Sequence, residues 1–171
     1  TVYLRDVGER RTDCNGSQSS DRRREPLDVE MIYDVQLPAG VDLNVTSVDG
    51  DVVVSGHSAR VDLTTVDGDI RVEGRAPEKA NTVDGDIEIR ADGPLPEQLR
   101  YGTVDGSVLL TLPDGAGFAL EATTVDGTLE SDFALTAQGR WGPRAVRGAV
   151  GDGRTRIRIS TVDGNVVLRR H

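Results

Sequence analysis

Apolar side chains occupy every second position along much of this chain, in short runs broken by glycine or proline. Leu27, Val29, Met31, Tyr33, Val35 and Leu37 form the first run, and Pro38-Ala39-Gly40 closes it. Val41, Leu43 and Val45 come next, then Val61 and Leu63, later Phe118, Leu120 and Ala122, and finally Ile157 and Ile159. Each of these leads into an Asp-Gly pair. Beyond the pairs, alternation resumes at Val52 and Val54, Ile70 and Val72, Ile87 and Ile89, Val108 and Leu110, and Val166 and Leu168. A period of two marks a strand with one buried face. No helix-length amphipathic stretch lies between the runs, so the pattern predicts an all-β chain.

The Asp-Gly pairs belong to a tetrapeptide, Thr-Val-Asp-Gly, that recurs at residues 65–68, 82–85, 103–106, 124–127 and 161–164, with Ser-Val-Asp-Gly at 47–50. Its glycines, Gly50, Gly68, Gly85, Gly106, Gly127 and Gly164, are separated by 18, 17, 21, 21 and 37 residues, the last being close to two ordinary steps. Asp-Gly also favours two-residue hairpins, so a meander is the rival arrangement. Near-identical units at a near-constant step favour stacking each corner above its equivalent, and the predicted fold is a single-domain parallel β-solenoid of about 17–21 residues per coil. Its rungs pair about 4.8 Å apart, and crossover handedness predicts a right-handed coil. Counting forward from Leu63 points Thr65 inward, whereas counting back from Ile70 favours Val66. The expectation is a Thr row inside and a Val row at the bend.

Two segments depart from the rhythm. Residues 1–26 contain a possible strand at Val2-Tyr3-Leu4, then a charged stretch with Arg22, Arg23 and Arg24 that reads as a mobile loop. The solenoid is expected over 27–171, with residues 128–156 as one irregular coil carrying the excursion Gln138 to Pro143. Trp141, the single tryptophan, is more often the cover of a core edge than a ligand platform.

Composition narrows the class. Among 171 residues aromatics make up 4%, which suits a narrow core of stacked aliphatic rows. A net charge of −9 repels a phosphate backbone, so nucleic acid is an unlikely partner. Lys79 is the one lysine, and every other cationic side chain apart from histidine is Arg. No apolar run approaches a membrane span. The chain opens on Thr1 rather than Met, so a signal peptide could have been removed. Cys14 is alone in a polar stretch without a lipobox-like run before it, which leaves neither a disulfide framework nor a Cys-based metal site.

Candidate chemistry gathers on the repeat. Asp49, Asp67, Asp84, Asp105, Asp126 and Asp163 should line one edge, with Asp51, Asp69 and Asp86 in a second row. Rows of oxygen ligands can recruit Ca²⁺, yet turn chemistry alone accounts for Asp-Gly, and that weighs more heavily. Acid pairs such as Asp67 and Asp69 could in principle serve glycoside cleavage, but they arise here from the turn. His57 and His171 have no nucleophile motif nearby. Residues Gly148 to Thr155 mimic a phosphate loop, but Arg156-Ile157-Arg158-Ile159 continues as a strand where that motif needs a helix. No catalytic or cofactor-binding residue is predicted. Asn15-Gly16-Ser17 and Asn44-Val45-Thr46 match the N-glycosylation pattern.

Thr65-Val66-Asp67-Gly68-Asp69-Ile70 and Thr82-Val83-Asp84-Gly85-Asp86-Ile87 resemble the repeated Thr-x-Asn/Ser-Gly-Asp-Ile blocks of the adhesin domain family of bacterial and archaeal surface proteins (DUF4097-like β-solenoid surface proteins). Thr161 to Arg169 resembles the family's closing strand, and Ser131-Asp132-Phe133 with Arg147 to Gly151 its penultimate coil. The likeness runs from about Leu27 to the C-terminus, with Asp at every corner where relatives often carry Asn or Ser. It implies a parallel β-solenoid in an exported, extracellular or cell-envelope protein, and it supplies no catalytic residues. The expected function is therefore a non-enzymatic, adhesin-like structural or binding protein presenting stacked β-faces. It is expected to assemble with itself through its ends or edges, or with other cell-surface components. A Ca²⁺- or glycan-binding module is the alternative, and a polysaccharide-cleaving enzyme a more distant one.

Overall fold

The computed structural model describes residues 2–7, 30–57, 59–137 and 145–171. Cys14, Asn15, the Arg22–Arg24 run and Trp141 lie outside them. All regular structure among the described residues is β. The strands are β1 (Val2–Val7), β2 (Glu30–Val35), β3 (Leu43–Thr46), β4 (Val52–His57), β5 (Val61–Thr64), β6 (Ile70–Gly74), β7 (Lys79–Asn81) and β8 (Ile87–Ala91). They continue as β9 (Gln98–Gly102), β10 (Val108–Leu112), β11 (Phe118–Thr123), β12 (Leu129–Ser131), β13 (Thr136–Ala137), β14 (Ala145–Val150), β15 (Thr155–Ser160) and β16 (Val166–Arg170).

Each Thr-Val-Asp-Gly corner carries the chain from one sheet to the other, so every coil gives one strand to each. One sheet, here A, has the order β12-β16-β10-β8-β6-β4-β1-β2, and the other, B, runs β13-β14-β11-β15-β9-β7-β5-β3. Within the coils all pairing is parallel and keeps equivalent residues level. Val52, Ile70, Ile87, Val108, Val166 and Leu129 stand in one file on sheet A. Val45, Leu63, Ala80, Tyr101, Ile159 and Ala122 form another on sheet B. These files face each other as a narrow aliphatic core that excludes water almost completely. Tyr101 is the one ring in its file, and its hydroxyl donates to the Pro77 carbonyl at 2.9 Å, which satisfies a polar atom that burial would otherwise penalise. The chain is thus a parallel β-solenoid, and its hairpin rival is excluded by the parallel register.

Coil order along the stack differs from coil order in sequence. The β15–β16 coil, last in the chain, sits between the β9–β10 coil and the β11–β12 coil. Its strands pair on both sides, β15 with β9 and β11, β16 with β10 and β12. Residues 128–156 therefore do not form the irregular coil expected between the Asp126 and Asp163 corners. Instead β12 completes the terminal coil, while β14 turns back antiparallel on β11 and carries β13 outside it. The 37-residue spacing is the length of chain that builds this cap and returns one rung inward. The phosphate-loop look-alike at 148–155 is the end of β14, a turn and the start of β15.

The two ends are covered diagonally. At one end β1 pairs antiparallel with β4 and with β2, which extends sheet A beyond β3, where sheet B stops. Among the described residues no strand of sheet B stands opposite this overhang, and Ile32, Tyr33 and Val35 are exposed despite their alternation. At the other end β14 and β13 extend sheet B beyond β12. There Phe133 packs edge-on against Phe118 with ring centroids 5.1 Å apart, and the Arg170 guanidinium lies 5.0 Å over its ring.

Two outcomes follow. Deleting residues 155–171 removes the rung that joins β10 to β12 and β9 to β11, so the terminal coil and its cap should detach. Hydrogen exchange should then show lost protection in 118–131 while 61–91 stays protected. At the corners, a Cβ on Gly85 would run into the Gly68 carbonyl of the previous coil, whereas one on Gly93 meets nothing within 4 Å. Both glycines have positive φ, so Gly93→Ala should cost about 1–2 kcal/mol from backbone strain alone. Gly85→Ala should cost about 2 kcal/mol more, because rigid backbone has to move, and chemical denaturation of the two variants checks the difference.

Candidate binding surfaces

The repeat assigns each of its four residues a separate task. Thr65, Thr82, Thr103, Thr161 and Thr124 point inward and are buried. Their hydroxyls donate to the glycine carbonyl of the preceding rung: Thr82 to Gly68 at 3.1 Å, Thr103 to Gly85 at 3.0 Å, Thr161 to Gly106 at 3.0 Å and Thr124 to Gly164 at 3.1 Å. Ser47, at the first corner, has no rung before it and donates to its own turn, the Asp49 carbonyl. The glycine N–H donates to the Asp carbonyl of the next rung, as Gly85 does to Asp105 at 3.0 Å. The corner is therefore held by its neighbours above and below rather than by a closed hairpin turn.

This leaves Val and Asp outward. Val48, Val66, Val83, Val104, Val162 and Val125 form a ridge of exposed valines, each between 39% and 63% accessible. Beside it the six corner carboxylates run in the order Asp49, Asp67, Asp84, Asp105, Asp163, Asp126, joined rung to rung by backbone bridges. They lie in a line instead of converging, and no group of three or more His, Cys, Asp or Glu among the described residues is arranged to hold a metal ion. Asp84 has its pKa raised, first by desolvation, then by a shared hydrogen bond with Asp67 and the charge of Asp105.

The second acidic row works differently. Asp51 accepts the N–H of Asp69 at 2.9 Å, Asp69 that of Asp86 at 2.9 Å, and Asp86 that of Ser107 at 2.7 Å. Ser107 then accepts from Asn165, and Asn165 from Thr128. Each side chain closes the next rung's backbone, so these residues are structural acceptors. The order of hand-over again places the last coil between the fourth and fifth.

A second surface escapes any reading of the repeat. On the outer face of sheet B lies a recess of about 880 Å³ whose rim includes Arg100, Arg147, Arg156 and Arg158. Its floor is shallow in side chains because Ala119 and Ala149 occupy the outward positions level with Arg156. Glu121 is the one carboxylate there among the described residues, and it bridges Arg147 and Arg158 at 2.6 and 2.7 Å. Those two hydrogen bonds, Arg158 first, hold its pKa below the ordinary glutamate range. Arg100 reaches only the Gln98 amide, at 3.3 Å, and among the described residues no side-chain partner meets Arg156.

Of the other candidates, Asn44 is exposed on edge strand β3, and His57 is the last residue of β4. His171 lies 3.0 Å from the Ala91 carbonyl and 3.3 Å from Asp92. Among the described residues no helix is long and apolar enough to cross a membrane. Fold and surfaces together define a repeat scaffold of parallel coils with flat faces and a continuous acidic corner. The chain belongs to the family described as Toastrack DUF4097, whose model matches residues 20–169. Neither the curated proteins nor the solved structures contain a match.

The crowded carboxylate row gives a pH prediction. Because folding raises the Asp84 pKa, the folded state carries a penalty at neutral pH that is relieved as pH falls through that pKa. Asp84→Asn should melt higher than the parent at pH 7, and the gain should vanish below about pH 4, where an ordinary aspartate is also protonating. Glu78 and Glu121, whose pKa values are lowered, lose stability over the same acid range, but equally in both proteins. Paired thermal melts from pH 7 to pH 3 read the difference.

Proposed function

We propose that this chain is a non-enzymatic structural or binding module of an exported or cell-envelope protein, working through its stacked β-faces and corner edge. The observation that carries this reading is the make-up of the sheet B recess. Its one carboxylate among the described residues, Glu121, is tied by two arginines in its ionised form, so it lacks the raised pKa of a general acid, and no second described carboxylate lines the recess to work with it. Among the described residues no nucleophilic side chain lines the recess. What it offers is a row of guanidinium donors over an alanine floor, which is equipment for holding an anionic surface. The corner carboxylates are equally unsuited to chemistry, because they repeat along a line and converge on nothing.

The envelope location rests on the family resemblance and the adhesive role on the regular, exposed faces. Purified chain incubated with an array of polysaccharides should release no reducing ends, and it should be retained on envelope preparations from which it was not extracted. Turnover on any polysaccharide that is lost in a Glu121→Gln variant would overturn the reading.

A further inference from the structure

We propose that the acidic corner edge of one copy of this chain docks into the arginine recess on sheet B of a second copy. The argument begins with pitch. The corner carboxylates step one rung at a time along the stack, and so do the recess cations, because Arg100 on β9, Arg158 on β15 and Arg147 beyond Glu121 are all level partners in one file. Arg156 stands in the neighbouring file, level with Gln98 and Ala119. Both rows inherit the strand spacing of about 4.8 Å. Two copies laid side by side with aligned axes therefore bring corner carboxylates level with Arg100, Arg158 and Arg147 on three of the four strands of the recess, the β11 position being held by Glu121, whose charge its two arginine neighbours offset.

Shape and polarity agree with charge. The edge is a convex bend and the recess a concave face of about 880 Å³. The exposed valine ridge runs alongside the carboxylates and needs an apolar counterpart, and the half-buried Ala119 and Ala149 supply one. Four arginines against Glu121 leave the recess cationic on a chain whose net charge is −9. Among the described residues nothing aromatic lines it to stack a base or a sugar ring. The edge and the recess are different patches, so the contact is heterologous, and repetition gives open chains of copies rather than a closed pair. The proposal goes beyond the structural role above, which survives if the chain proves monomeric.

Salt sets the conditions of the test. Two bodies of charge −9 repel over tens of Å, while the docked groups meet at contact distance. At about 0.1 M salt the first effect is largely screened and the second is not. A contact four strands long is at the small end of specific interfaces, so Kd is expected at about 10–100 μM. Sedimentation of the parent chain in 0.1 M salt should show masses of two or more chains over that range, reverting to one chain at about 1 M salt. Arg156→Glu/Arg158→Glu alters the recess, and Asp84→Lys/Asp105→Lys/Asp163→Lys alters the edge. Each variant, with its β circular dichroism intact, should be monomeric alone. Mixed in equal amounts they should associate, because each retains the surface the other has lost. A parent chain that stays monomeric throughout overturns the proposal, as does a recess variant that self-associates like the parent. A monomeric parent whose recess instead takes up polyaspartate or polyphosphate, with loss in the Arg156→Glu/Arg158→Glu variant, assigns the site to a free polyanion and also overturns it.

Discussion

Every corner of this solenoid after the first depends on one close approach, the backbone of one coil's glycine against the glycine carbonyl of the coil before it. That distance leaves no room for a Cβ, so glycine is obligatory on steric grounds before turn conformation is considered. The same carbonyl, pressed inward by the stack, would be a poorly satisfied acceptor without the threonine hydroxyl beneath it. Threonine supplies that donor from a buried position. Glycine and threonine are thus two halves of one solution to stacking backbones at strand spacing, and the exposed Val and Asp are the residues the constraint leaves free.

Stacking at fixed pitch also multiplies side chains. A single exposed aspartate is unremarkable, but six level with one another form a charged line, and at Asp84 desolvation, helped by the neighbouring Asp67 and Asp105, raises the pKa. The second row shows how such crowding is avoided. Asp51, Asp69 and Asp86 spend an oxygen on the next rung's N–H, and further along the stack Ser107 and Asn165 fill the same post without charge. Their chemistry is that of an acceptor in a ladder, for which charge is incidental.

The fold was largely legible because its determinants are local and repeated. Alternation names the strands, and the constant step makes them parallel. The doubt over whether Thr65 or Val66 points inward is resolved by the hydroxyl–carbonyl bond, which spans adjacent coils and so leaves no trace within one repeat. The Arg recess was not legible for a related reason. In simple sequence order Arg100 would lie beside Glu121, and the face would read as neutral. Only the return of the last coil places Arg158 between them. Outward arginines at 156 and 158, alternating with Ile157 and Ile159, were visible as a pattern, but their neighbours were not. The overhang of β2 was hidden likewise, since an alternating strand looks the same whether or not a second sheet faces it.

The returning coil also bears on how the protein is made. Coils built from residues 43–112 can stack as they leave the ribosome, each against its predecessor. The fifth coil cannot, because its neighbour in the finished molecule is encoded after it. Until residues 155–171 emerge, that coil and its cap are either held apart from the fourth or paired with it in a register that has to be broken. Completion of this fold thus waits on a late, non-local step, in a molecule whose other contacts mostly follow the order of translation.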